Sequence, residues 1–132
     1  MRPAKLVVTT LLILILMVGV GGCAKERGCT DPAAVNYNPN AQVDNNTCRY
    51  SGSVIFWTAS NSLGTITVNI SNLQSTITSY LTGGVPTCGF TGCATFDLTP
   101  GTYAYTATSQ SGANWNGDVT ITINGCQPIQ LQ

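Results

Sequence analysis

The sequence contains no histidine. That absence removes the commonest general base and the commonest metal ligand together, and most hydrolytic constellations go with it. Charge is scarce as well: five Lys and Arg and five Asp and Glu make up 8% of 132 residues. A nucleic-acid surface needs several cations on one face to displace counterions from the phosphates, so nucleic acid is not an expected partner. Arg2 and Lys5 lie in the first five residues, which leaves Lys25, Arg27 and Arg49 against Glu26, Asp31, Asp44, Asp97 and Asp118 beyond residue 22. Thr, Ser, Asn and Gln stand in place of charge, a composition poor in helix formers that suits strands and turns.

The N-terminus joins two positive charges to an apolar run, Leu6 to Val20, interrupted only by Thr9 and Thr10. A membrane span wants about 20 apolar residues. A shorter run, followed by the small residues Gly21 and Gly22, reads as a helical signal peptide over residues 1–22. The stretch Val20-Gly21-Gly22-Cys23 resembles the bacterial lipobox. That resemblance implies a diacylglycerol on the Cys23 thiol, cleavage just before it and acylation of the new amine. Residues 23–27 then form a lipidated tether, and a membrane is the expected partner through covalent lipid on Cys23. One acyl chain holds a protein only marginally, whereas two or three anchor it stably. Ala24 stands where many Gram-negative lipoproteins kept at the inner membrane carry Asp, which favours the outer membrane. Lys25-Glu26 is similar to the short Lys-acid signal that takes some Bacteroidetes lipoproteins to the cell surface, but Arg27 replaces a second acid. The periplasmic and cell-surface faces both stay open.

Residues 28–50 are dense in turn chemistry, with Asp31-Pro32, Asn38-Pro39 and Asp44-Asn45-Asn46. So short a segment cannot bury a core and needs a staple. Cys29 and Cys48 supply one in an oxidising compartment, stabilising by about 3 kcal/mol in the chain-entropy account. The pattern Gly28-Cys29-Thr30-Asp31-Pro32, Asn36-Tyr37-Asn38-Pro39, Asp44, Cys48 and Tyr50 closely resembles a short repeat of exported Bacteroidetes proteins and some algal and viral ones. It departs at Asn45-Asn46-Thr47, where that repeat has Asp-Gly-Ser. Calcium is a candidate ligand, because Asp31, Asn36, Asn38 and Asp44, with Asn40 and Asn46, could supply oxygens to a hard cation. The spacing does not fit an EF-hand, and the competing reading is that these side chains close Asx turns.

From residue 51 the pattern changes to short alternating segments. Residues 53–59 are almost continuously apolar, as in a strand buried on both faces; 64–70 alternate, with Ile66, Val68 and Ile70 inward. Further strands are expected at 75–81, 94–98, 102–108, 118–123 and 128–131. Pro100-Gly101 is read as the turn of a hairpin, and Asn116-Gly117 and Asn124-Gly125 as further turns. The expected fold is all-β, a small seven-stranded antiparallel sandwich over residues 51–132. Leu98-Thr99-Pro100-Gly101-Thr102-Tyr103 resembles the Leu-x-Pro-Gly-x-Tyr signature of transthyretin-like, carboxypeptidase-regulatory-like and PEGA-type domains. Those are small sandwiches that serve as spacers, adhesion modules or binding accessories.

Cys88, Cys93 and Cys126 form an odd set in which Cys88 could pair with either of the others. Three thiols without histidine in an oxidising compartment make a poor zinc site. Trp115, in the polar stretch SGANWNGD, either plugs the end of the sandwich or presents its ring to a glycan or envelope protein. The expected function is non-catalytic: a lipid-anchored envelope protein displaying a sandwich for binding, adhesion or a structural role, with no catalytic residues and no cofactor beyond the lipid and the calcium candidate. The alternative is a glycan hydrolase using Asp97 and Asp118, the only carboxylates in the sandwich, which would have to face each other across a cleft at about 5 to 10 Å.

Overall fold

The computed structural model describes Gly22 and residues 24–132; the expected signal peptide and Cys23 fall outside the described residues apart from Gly22. No helix occurs among the described residues. Two short strands, β1 (Arg27–Gly28) and β2 (Val43–Asp44), pair in parallel within the small cysteine module. Seven more build the sandwich: β3 (Gly52–Trp57), β4 (Ile66–Ile70), β5 (Leu73–Ile77), β6 (Ala94–Leu98), β7 (Gly101–Ser109), β8 (Asn114–Ile121) and β9 (Cys126–Gln130). One sheet has the order β6-β3-β9 and the other β5-β4-β7-β8. Every pairing in the sandwich is antiparallel except that of β3 with β9, the first and last strands, which run parallel.

The core follows from period-2 alternation. Val54 and Phe56 of β3, Ile66, Val68 and Ile70 of β4, Ile77, Phe96, Ala107, Val119 and Ile121 interdigitate between the sheets. Phe56 sits at the centre, edge-on to Phe96 and tilted against Tyr105, at centroid distances of 6.0 and 4.8 Å. The outward positions of the larger sheet are mostly Thr, Asn and Gln, several of which bond across strands, as Asn69 with Gln74 and Thr108 with Asn114 do.

Strand β3 is buried on both faces because its second face is covered. Ile55 is fully buried and Trp57 is 6% exposed, although both alternate away from the inter-sheet core. The segment 78–93 is tied across that face. Leu81 N–H donates to the Thr58 carbonyl, Gly89 N–H to Thr95 Oγ1, and Cys88 is bridged to Cys126. A chain with two apolar faces on one strand needs such a cover, since an exposed Ile and Trp side by side would form an apolar patch.

Two expected turns are something else. Pro100-Gly101 does not close a hairpin: β6 pairs with β3, and β7 pairs with β4 and β8, so the turn carries the chain from one sheet to the other. The Tyr103 hydroxyl donates back to the Thr99 carbonyl at 3.0 Å and fixes this corner. Asn116-Gly117 lies inside β8. Gly117 is there because the Tyr105 ring packs over it, 3.1 Å from where a Cβ would stand. The turn itself falls earlier, at Gln110–Ala113, closed by Gly112 N–H on the Ser109 carbonyl. Asn124-Gly125 is a turn as expected, with Asn124 at φ 54°.

Candidate functional site

The two ends of the sandwich differ. At one end lie the two-residue connections 71–72 and 99–100 and the turn 122–125, and here the chain enters at Gly52 from the cysteine module. Gly52 is packed so closely on this turn that a Cβ would stand 2.0 Å from the Thr122 carbonyl oxygen. Asn124 Nδ2 donates to the Ala33 carbonyl, placing the module against the same end. At the other end lie the connections 58–65 and 110–113, both ends of the long 78–93 segment, and the C-terminal residues. Strand β7 runs nine residues between the poles, about 30 Å. Connections of more than about 12 residues without regular structure are usually either functional or linker segments, and binding residues concentrate on loops held by a rigid scaffold.

The structure joins Cys29 to Cys48 and Cys88 to Cys126, with Cα separations of 4.9 and 5.8 Å. Among the described residues Cys93 is the free thiol, half-buried just before β6, and burial pushes its pKa up. Cys88 reaches Cys126 rather than Cys93 because the 78–93 segment crosses the small sheet from β6 toward the start of β9.

The candidate calcium ligands are engaged inside the module. Asp31 accepts from Ala33 N–H at 2.9 Å and from the Tyr50 hydroxyl at 2.6 Å. Asn36 accepts from Arg49 N–H and donates to the Thr47 carbonyl, each at 2.7 Å, so it pins the two strands of the loop together. Asn38 accepts from Asn40 N–H and donates to Glu26; Asp44 accepts from Asn46 N–H. These are Asx turns and cross-loop ties, and among the described residues no three acidic or thiol groups gather. The Tyr50 hydroxyl, then Ala33 N–H, hold the Asp31 carboxyl below the usual carboxylate range, and the same bond raises Tyr50.

Asp97 and Asp118 do not share a cleft. Asp97 is exposed on the outer face of the small sheet, where it accepts from Ser53 Oγ, while Asp118 is exposed on the outer face of the large one. The hydrophobic core lies between them, which removes the geometry a carboxylate pair requires. Trp115 lies in β8 opposite Ala107, packs against the core and donates from Nε1 to the Gln132 carbonyl at 2.8 Å. It plugs the sandwich at the loop end and fastens the C-terminus there.

The loop end carries a furrow that sequence reasoning did not find. A cavity of about 210 Å³ is lined by Thr58, Ser60, Asn61, Gly64, Thr65, Thr78, Ser79, Tyr80 and Gln110. Two shallower depressions adjoin it, sharing Thr58 and Ser60 on one side and Thr65 and Gln110 on the other. Thr58 is buried and its Oγ1 accepts from Ser60 N–H, which turns the chain out of β3. Thr78 and Ser79 N–H both bond the Gly92 carbonyl, holding Tyr80 at the rim with half its surface exposed. Tyr80 fell within the expected strand 75–81; its only sequence signal is an aromatic ring beyond Ile77, the last residue of β5 to reach the core. The chain matches no protein-family model, and no curated protein is significantly similar to it.

Proposed function

We propose that this chain is a lipid-anchored, non-catalytic envelope protein that displays its sandwich for binding, with the loop end as the contact surface. The observation that carries the reading is polarity: module and entry point occupy one end, and the long connections, the furrow and the C-terminus occupy the other. An anchor at Cys23 holds the first end toward the membrane and presents the second outward. The lipobox-like Val20-Gly21-Gly22-Cys23, the positive start and the apolar run support the anchor. Ala24 supports outer-membrane placement. The disulfide-stapled module then serves as a stiff spacer.

Cell fractionation with palmitate labelling tests the anchor. The native chain partitions with membranes and incorporates label; Cys23→Ser is soluble, unlabelled and retains the native thermal midpoint. Membrane association unchanged by Cys23→Ser would overturn the proposal.

A further inference from the structure

The furrow between the 58–65 connection and the Thr78-Ser79-Tyr80 segment has a lining without charged side chains: no Lys, Arg, Asp or Glu contributes to it or to the two depressions beside it. We infer that it is a binding subsite for a neutral polyhydroxylated ligand, one or two pyranose units of an uncharged glycan chain. The inference rests on the display reading above and names the ligand class.

Charge decides first. Beyond residue 22 the cations are Lys25, Arg27 and Arg49, all on the module side of Gly52 and so at the opposite pole. An anionic group entering the open furrow would lose part of its water without gaining a cation, which is unfavourable. A cationic ligand finds no carboxylate in the furrow's own lining, since Asp97 and Asp118 lie on the outer faces of the sheets and Gln132, with its α-carboxylate, borders only the neighbouring depression. A neutral ligand carries no such penalty.

Hydrogen-bonding chemistry decides next. Sugar hydroxyls both donate and accept, and so do the groups available: the Ser79 hydroxyl and the Asn61 and Gln110 amides, each amide with an acceptor oxygen and two donor hydrogens, while the Ser60 hydroxyl is held by Ser62. Tyr80, 50% exposed at the rim, adds a flat apolar ring with a polar tip. The C–H face of a pyranose ring matches that surface, while its hydroxyl edge matches the amides. Gly64, at φ +67°, lets the wall approach Gln110 closely: a Cβ there would stand 2.9 Å from Gln110 Oε1. The furrow, about 210 Å³, shares lining residues with depressions of about 250 and 420 Å³, and none of the three is a closed pocket. Such a shape takes a segment of a chain whose ends run past the site.

The test is a glycan array probed with the full lipidated chain in a detergent that has no sugar headgroup, with neutral, uronic and sulfated oligosaccharides side by side. At least one neutral oligosaccharide is retained and the anionic ones are not. Titration with the retained glycan then shows Tyr80→Ala and Gln110→Ala weakened about tenfold or more. Asn116→Ala, on the outer face of the large sheet, binds as the native chain does. All three substituted residues are exposed, and matching thermal midpoints check that each variant is folded. Failure to retain any neutral glycan, equal retention of anionic ones, or affinity untouched by Tyr80→Ala would each overturn the subsite. A photo-crosslinker at Asn61 in whole cells separates this from the broader reading: capture of an envelope protein with no glycan retained overturns the glycan subsite and leaves loop-end display standing.

Discussion

At the scale of single residues, one of the hydrogen bonds that hold the module has a measurable signature. Asp31 Oδ2 accepts from the Tyr50 hydroxyl across the disulfide-closed loop, which lowers the first group's pKa and raises the second's. A lowered carboxyl contributes stability that is present above its unfolded value and lost as pH falls through the folded value. A raised phenol contributes stability that is present below its unfolded value and lost as pH rises through the folded one. Module stability is therefore flat across neutral pH and declines below about 4 and above about 10. In Tyr50→Phe the Ala33 N–H bond remains, so the Asp31 carboxyl titrates at higher pH than in the native chain but does not return fully to an unperturbed value. Carbon-detected NMR titration reads this directly, and an Asp31 midpoint unmoved by Tyr50→Phe would show that the bond does not form in solution. The same scale governs calcium. The module's oxygens are engaged in their own turns, so millimolar calcium and EDTA should give the same thermal midpoint, and a clear rise with calcium would contradict that geometry.

At the scale of elements, the 78–93 segment behaves as a strap, and its clasp is Cys88–Cys126. A separation of 38 residues implies about 4 kcal/mol from restricting the unfolded chain, and the double variant Cys88→Ser with Cys126→Ser should lose stability of that order in denaturant titrations. The loss should be local first: amides of β3 near Ile55 and Trp57 exchange faster, while those of β7 and β8 keep their protection. Uniform loss of protection would mean the strap is not a separate cover. Cys93 gives a contrasting outcome, because burial raises its pKa and lowers its thiolate fraction, so it should react with iodoacetamide at neutral pH more slowly than a free exposed cysteine. These elements also show what the sequence could and could not reveal. Alternation located β4 and β6 because their inward residues are all apolar, and the almost continuous apolar run at 53–59 disclosed burial on both faces. The Pro100-Gly101 corner and Gly117 misled for one reason: local turn residues were read by local rules. Their roles are set by distant partners, β3 and β4 for the corner and the Tyr105 ring for the glycine. The furrow was hidden for the same reason, since Ser60, Tyr80 and Gln110 come from three connections and have no shared spacing.

At the scale of the whole molecule, the proposed display depends on how firmly the module holds the sandwich. Among the described residues, Asn124 Nδ2 to the Ala33 carbonyl at 3.2 Å is the one side-chain hydrogen bond between a sandwich turn and the module; beside it, Asn124 N–H bonds the Ser51 carbonyl in the connecting segment. Asn124 also adopts φ 54°, a conformation that asparagine tolerates and glycine adopts freely. Asn124→Gly therefore separates the two roles: the turn is kept and the side-chain bond is deleted. A single such bond contributes about 1 kcal/mol, so the sandwich should keep its thermal midpoint to within a few degrees. The module should instead reorient more freely, with lower backbone order parameters across residues 27–50 and unchanged values in β3 to β9. Affinity for the proposed neutral glycan at the opposite pole should be unaffected in detergent, because the furrow does not touch this turn. If order in the module is unchanged by Asn124→Gly, the backbone connection through Tyr50 and Ser51 alone sets the angle at which the loop end is presented.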